Sequence, residues 1–182
     1  MDHAPANRFR ISAAFTLICC TAVSCTQTPQ QVSTAAIAAD AQGPVTVTYN
    51  PLTGRPSFLR ARIAYPTTLP DTAVAYSMMR RYAAVFGTDS AARDLQYLDA
   101  RIDSLGMRHM TVQQMQGGVE VYAARASVHL AREGGIVVAV SSNLVPGVRA
   151  AATQPTVSED SARGIAGRQL PLGVAGASRL VL

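Results

Sequence analysis

Residues 106–147 read GMRHMTVQQMQGGVEVYAARASVHLAREGGIVVAVSSNLVPG, and the reading of this stretch decides the fold. Apolar and polar residues alternate through 107–115, 119–130 and 136–144, the period of strands with one buried face. Gln116-Gly117-Gly118 joins the first two runs and Arg132-Glu133-Gly134-Gly135 the last two. Short glycine-containing links between alternating runs predict antiparallel hairpins, because glycine adopts the positive φ that tight hairpin turns need. The run 95–102, closed by the turn Asp103-Ser104-Leu105-Gly106, precedes them and completes a meander of about four strands.

Upstream lies PDTAVAYSMMRRYAAVFG, residues 70–87. Val74, Met78, Tyr82, Val85 and Phe86 share one helical face, Asp71 is placed to cap the start, and Gly87 suits a left-handed stop. This helix is expected to cover the apolar face of the meander. Earlier still, residues 45–49 and 57–65 alternate on either side of Asn50-Pro51-Leu52-Thr53-Gly54-Arg55-Pro56, which predicts an N-terminal hairpin. Ser158, followed by Glu159 and Asp160, marks the start of a second helix over 158–170. The fold class is therefore α+β. After Leu170 a loop leads into an apolar run ending on Leu182, so the protein is expected to continue beyond that residue.

The first 25 residues read as an address. Arg8 and Arg10 precede an apolar run over 11–23, shorter than the roughly 20 residues a membrane-spanning helix needs but suited to a signal peptide. Ala22-Val23-Ser24-Cys25 resembles a bacterial lipobox, which implies acylation of Cys25 and anchoring in the cell envelope. The alternative is an ordinary secretory signal cut after Ala36 or Ala39. Residues 26–44 are rich in Gln, Thr, Ala and Ser without a period and read as a flexible tether.

Hydrophobic residues make up 48% of the chain and charged residues 15%, so a packed core is expected. All basic residues are arginine. Past Ser24, fourteen arginines against ten carboxylates leave a net charge of +4, with no basic stripe of the kind nucleic acid requires. No cysteine follows Cys25, which excludes a disulfide or a cysteine-based zinc site in residues 26–182. His109 and His129 lie on adjacent predicted strands, without a His-Glu-x-x-His pattern, and read as sheet histidines satisfied by hydrogen bonds. Glu120, Glu133 and Glu159 have no spacing suited to acid–base catalysis, and no Gly-x-Ser-x-Gly elbow occurs. No catalytic or metal-ligating residue is assigned, and no cofactor is expected in this stretch.

The pattern resembles the FTP domain, the propeptide of fungalysin- and thermolysin-type metallopeptidases. The resemblance rests on Leu105-Gly106, His109 and Gln114, Gly118-Val119-Glu120-Val121, Val128-His129, Glu133-Gly134 and Asn143-Leu144-Val145-Pro146, in that order. Asn50 to Pro56, Tyr82 and Phe86-Gly87 agree with it upstream, and Pro155-Thr156-Val157-Ser158 with Ala162 looks like the start of a PepSY-like segment. The implied organisation is a signal over 1–25, a tether over 26–44, the propeptide domain over 45–148 and a PepSY-like start over 149–182. Ala123-Ala124 stands where the family commonly has a glycine, which is expected to remove a bulge or loosen a tight approach.

The resemblance implies the N-terminal propeptide region of an exported zinc metallopeptidase precursor, an inhibitor and folding aid for a catalytic domain absent from this chain. Zinc is expected only in that domain. The partner is the peptidase domain, in cis or in trans, with the membrane added if Cys25 is lipidated. The alternative is a free-standing envelope lipoprotein that binds or inhibits a separate peptidase. A third reading is an exported α+β domain that binds a sugar, a peptide or an envelope protein.

Overall fold

A computed structural model of the chain describes residues 30–149, 154–169 and 181. The signal-like residues 1–25, Cys25 and the apolar residues 170–180 lie outside the described residues. Among the described residues eleven elements occur: α1 (Ala35–Asp40), β1 (Thr46–Tyr49), β2 (Pro56–Ala64), α2 (Asp71–Arg81), α3 (Ala83–Phe86), α4 (Ala91–Asp94), β3 (Leu95–Ile102), β4 (Arg108–Gln116), β5 (Val119–Leu130), β6 (Ile136–Ser142) and α5 (Glu159–Gln169).

The strands form one six-stranded sheet in the order β1-β2-β6-β5-β4-β3, rather than a four-stranded meander with a separate hairpin. The meander β3 to β6 is as expected. The correction is at its end, where β2 pairs antiparallel with β6 through Phe58↔Ser141, Leu59↔Val140 and Arg60↔Ala139 and so adds the hairpin to the same sheet. The alternation in β2 explains this. Leu59, Ala61 and Ile63 are buried on the face shared with Val137 and Val140, and only an in-line neighbour continues that apolar surface.

After β2 the chain crosses the sheet to reach β3 on the far edge, and α2 covers the face it crosses, touching β4, β5 and β6. Val74, Ala75, Met78 and Met79 of α2 pack on Met110, Val112, Val128 and Leu130 beneath them. The single helix expected over 70–87 is two: it breaks at Tyr82, φ −113°, and resumes as α3. Asp71 does not cap it. Asp71 is the first helical residue behind Pro70, and its carboxylate instead accepts two hydrogen bonds at 3.0 Å from Arg108 of β4. Gly87 does take the left-handed stop at φ +80°, where a Cβ would lie 2.8 Å from that of Pro146.

The tether over 26–44 also needs correction, because residues 35–40 are helical and Ile37 is fully buried in the core. Asp40 clips this helix to α2. Its carboxylate accepts the Tyr82 hydroxyl at 2.6 Å and a two-pronged Arg81 guanidinium at 2.8 Å on each side. Helix α5 begins after Ser158, whose Oγ accepts the Ser161 amide at 3.3 Å, and none of its residues is buried.

Candidate docking surface

With the helices on one face, the other face of the sheet is left open, and the register places its side chains in rows. One row runs Phe58, Ser141, Ser127, Thr111, Asp99; the next runs Arg60, Ala139, His129, His109, Arg101. Phe58, Met107 and Val138 floor a groove of about 490 Å³ on this face, with Arg60 and Arg132 at its sides. Helix α4 contacts β3, into which it leads directly. Past Leu95 every residue of β3 is exposed, and Tyr97 (42%), Leu98 (45%), Ile102 (69%) and the neighbouring Leu105 (74%) present apolar surface there. Natural edge strands are guarded by charge, brevity or bulges. Here a register shift between Tyr97 and Asp99 is present, yet the apolar side chains remain on the edge.

Two glutamines shape this surface. Gln114 donates from Nε2 to the Val145 carbonyl at 2.8 Å and accepts the Val145 amide at Oε1 at 2.8 Å. It thereby fastens Asn143-Leu144-Val145-Pro146 to β4, and Leu144 is buried. The Gln of one sequence motif and the Asn-Leu-x-Pro of another are one contact in space. Gln113, to which the sequence assigned no role, is also buried. Its Nε2 donates to the carbonyls of Val121 (2.7 Å) and Ala124 (3.0 Å), with that of Gln114 at 3.1 Å, and its Oε1 accepts Arg125 Nε at 2.8 Å.

Those carbonyls belong to a bulge. From Gln113 to Met115 on β4 is two steps, while their partners Arg125 and Glu120 on β5 are five apart, so β5 carries three extra residues. Ala123 sits in it at φ +56°, the one non-glycine residue at positive φ among the described residues. Of the two expectations for Ala123-Ala124, a removed bulge or a loosened approach, the first is overturned, because the bulge is present. Gln113 holds the bulge, and Ala123 carries the strain.

The same bulge sets His129 opposite His109. Their Nδ1 atoms lie 2.6 Å apart, His109 Nε2 lies 3.0 Å from Asp103 Oδ2, and His129 Nε2 lies 3.1 Å from Ser141 Oγ. The sequence placed both residues on adjacent strands; that each satisfies the other follows from the bulge. Burial, then the neighbouring His109 and Arg101, pushes the His129 imidazole below its ordinary value. The hydrogen bond from His109 holds the Asp103 carboxyl below the usual range.

The other residues weighed from sequence stay apart. Glu133 pairs with Arg62 at 3.7 Å, Glu120 with Arg125 at 3.7 Å and Glu159 with Arg163 at 2.7 Å, each on the protein's own arginines. Among the described residues, no three His, Cys, Asp or Glu side chains are grouped as metal ligands.

In comparisons with known proteins, the family model of the Fungalysin/Thermolysin Propeptide Motif matches residues 93–144. The matched span opens at the end of α4 and covers β3, β4, β5 and β6 through Leu144, the meander with its exposed edge, its bulge and its closing clamp. No match to the chain is found among curated proteins. A propeptide motif belongs to the part of a peptidase precursor outside its catalytic domain, so this chain is not that domain.

Proposed function

We propose, from the propeptide motif in residues 93–144, that this chain is the N-terminal propeptide region of an exported zinc metallopeptidase precursor. It acts as intramolecular inhibitor and folding aid for a peptidase domain encoded beyond Leu182. The single observation that carries this reading is the coincidence of the matched span with the meander that ends in the exposed β3 edge. A propeptide needs a firm surface complementary to its partner rather than reactive groups, and attachment on one chain raises the effective concentration of the two parts. The apolar edge of β3 and the open face beside it supply such a surface. The residues from Pro155 onward are proposed to begin a PepSY-like unit, and Cys25 to be the acylated first residue after export.

Reading the coding DNA past the Leu182 codon tests this first. A continuing frame with His-Glu-x-x-His and a downstream glutamate, the zinc ligands and base of such a peptidase, is the expected result. An immediate stop codon would overturn the intramolecular role. The lipobox-like Cys25 favours the second reading in that event, because a lipid anchor suits a protein that stays in the envelope and binds a separate peptidase.

A further inference from the structure

The row from Asp103 through His109 and His129 to Ser141 spans the β3–β4 turn and three strands, and its protons can be counted. Asp103 is held ionised and can only accept, so His109 carries a proton on Nε2 and donates it at 3.0 Å. With His109 neutral, its Nδ1 is a lone pair and accepts from His129 Nδ1 across 2.6 Å. His129 Nε2 is then an acceptor for the Ser141 hydroxyl at 3.1 Å. Every bond in the row is satisfied in one direction.

One added proton leaves the heavy atoms where they are. His109 becomes the imidazolium and donates from Nδ1, His129 shifts its own proton to Nε2, and Ser141 accepts. A second proton has no place. Both Nδ1 atoms would then carry hydrogens pointing at each other, on two cations whose rings are 4.9 Å apart. The charged groups facing the pair sharpen this. Asp103 faces His109 Nε2 at 3.0 Å. Arg101 of β3 lies opposite His109 and disfavours a second proton, and Arg60 of β2 lies beyond Ala139 at the other end. Asp99 of β3 faces Thr111 in the next row, and the facing positions of β6, Ala139 and Ser141, do not titrate.

We propose that the His109–His129 pair is an acid-operated latch between β4 and β5: it closes while the two rings share a single proton and opens when a second proton arrives. Opening parts the strands on the open face at the register that the bulge establishes. The latch stands on this chain's own geometry and does not depend on the propeptide reading.

The sign follows from linkage. A histidine whose folded value is depressed contributes stability that is present above its ordinary value, about 6.5, and is lost as pH falls through the lowered one. Thermal unfolding of the full chain from pH about 8 to about 5.5 tests this, above the range where most carboxylates titrate. The wild type is expected to hold a flat Tm down to about pH 6.5 and lose it below. His129→Gln, which keeps hydrogen-bonding groups but cannot titrate, is expected to flatten that loss. A variant profile parallel to the wild type would overturn the proposal. Imidazole 15N shifts of the wild-type chain give a second readout that needs no variant. Two proton-uptake steps more than about one pH unit apart are expected, a tenfold or greater difference in proton affinity. Two independent titrations at ordinary values would overturn it.

Discussion

Ala123 carries a conformation that alanine rarely adopts, and the reason lies in its neighbours. Left-handed backbone costs an L-residue about 1–2 kcal/mol, and the site tolerates this because Gln113 binds the carbonyls on both sides of it. Ala123→Gly removes that strain but gives back part of it through a more flexible unfolded chain. It is expected to raise stability by about 0.5–1 kcal/mol, read as a higher urea midpoint at unchanged slope; a lower midpoint would show that the Ala123 methyl group contributes packing. Gln114 is the opposite case, a buried amide whose two bonds hold a loop. Gln114→Ala leaves the Val145 amide and carbonyl without partners and is expected to cost about 2–3 kcal/mol. Faster hydrogen exchange at Val145, with little change in α2, would locate the effect. That these two glutamines matter was legible only in part. Gln114 falls in a recognisable motif, whereas nothing in the alternation of β4 distinguishes Gln113 from any polar strand residue.

Among the elements, α1 and β3 carry the most information. The sequence around α1 has no helical period and only six helical residues, too few to form a helix alone, so it read as a tether. Tertiary contacts supply what local propensity lacks: the fully buried Ile37 and the Asp40 clip to Arg81 and Tyr82. Ile37→Ala is expected to cost about 2–5 kcal/mol and to make residues 30–44 the first site of proteolysis. An unchanged Tm would mean that α1 docks without contributing to stability. Strand β3 was legible from its period and its turn, but its exposure was not, because alternation does not tell which strand the helices leave uncovered. Leu98→Ser combined with Ile102→Ser is expected to leave Tm within about 2 °C, as exposed positions do. On the proposed inhibitory role, the same pair is expected to weaken inhibition of a thermolysin-type peptidase by the full chain more than tenfold. Full potency in the double variant would place the docking surface elsewhere.

At the scale of the whole molecule, acid acts on two sets of contacts in separate windows. The His109–His129 pair responds first, below about pH 6.5, by the sign worked out above. Asp40 comes later. Its carboxyl is held below the usual range by the Tyr82 hydroxyl and then by Arg81, so the clip is intact above the ordinary carboxylate value and is lost as pH falls through the lowered one. A stability profile with two descending steps is therefore expected, and Asp40→Asn should shrink the lower step, which Asp94 and Asp103 share because both are also held below the usual range, and leave the upper one in place. A single step shared by both variants would show that the two contacts act as one unit. The sequence by itself determined the strands of the meander, their hairpin turns, the buried stripe of the helix and the αL stop at Gly87. All of these depend on residues within a few positions of one another, through side-chain period and the φ that glycine permits. Only the tertiary structure decided that β2 joins β6, that α1 folds, and that His129 meets His109 rather than a neighbour three residues away. Each of those depends on segments distant in the chain sharing one apolar face, and on a bulge whose position is set by a buried glutamine rather than by any local signal.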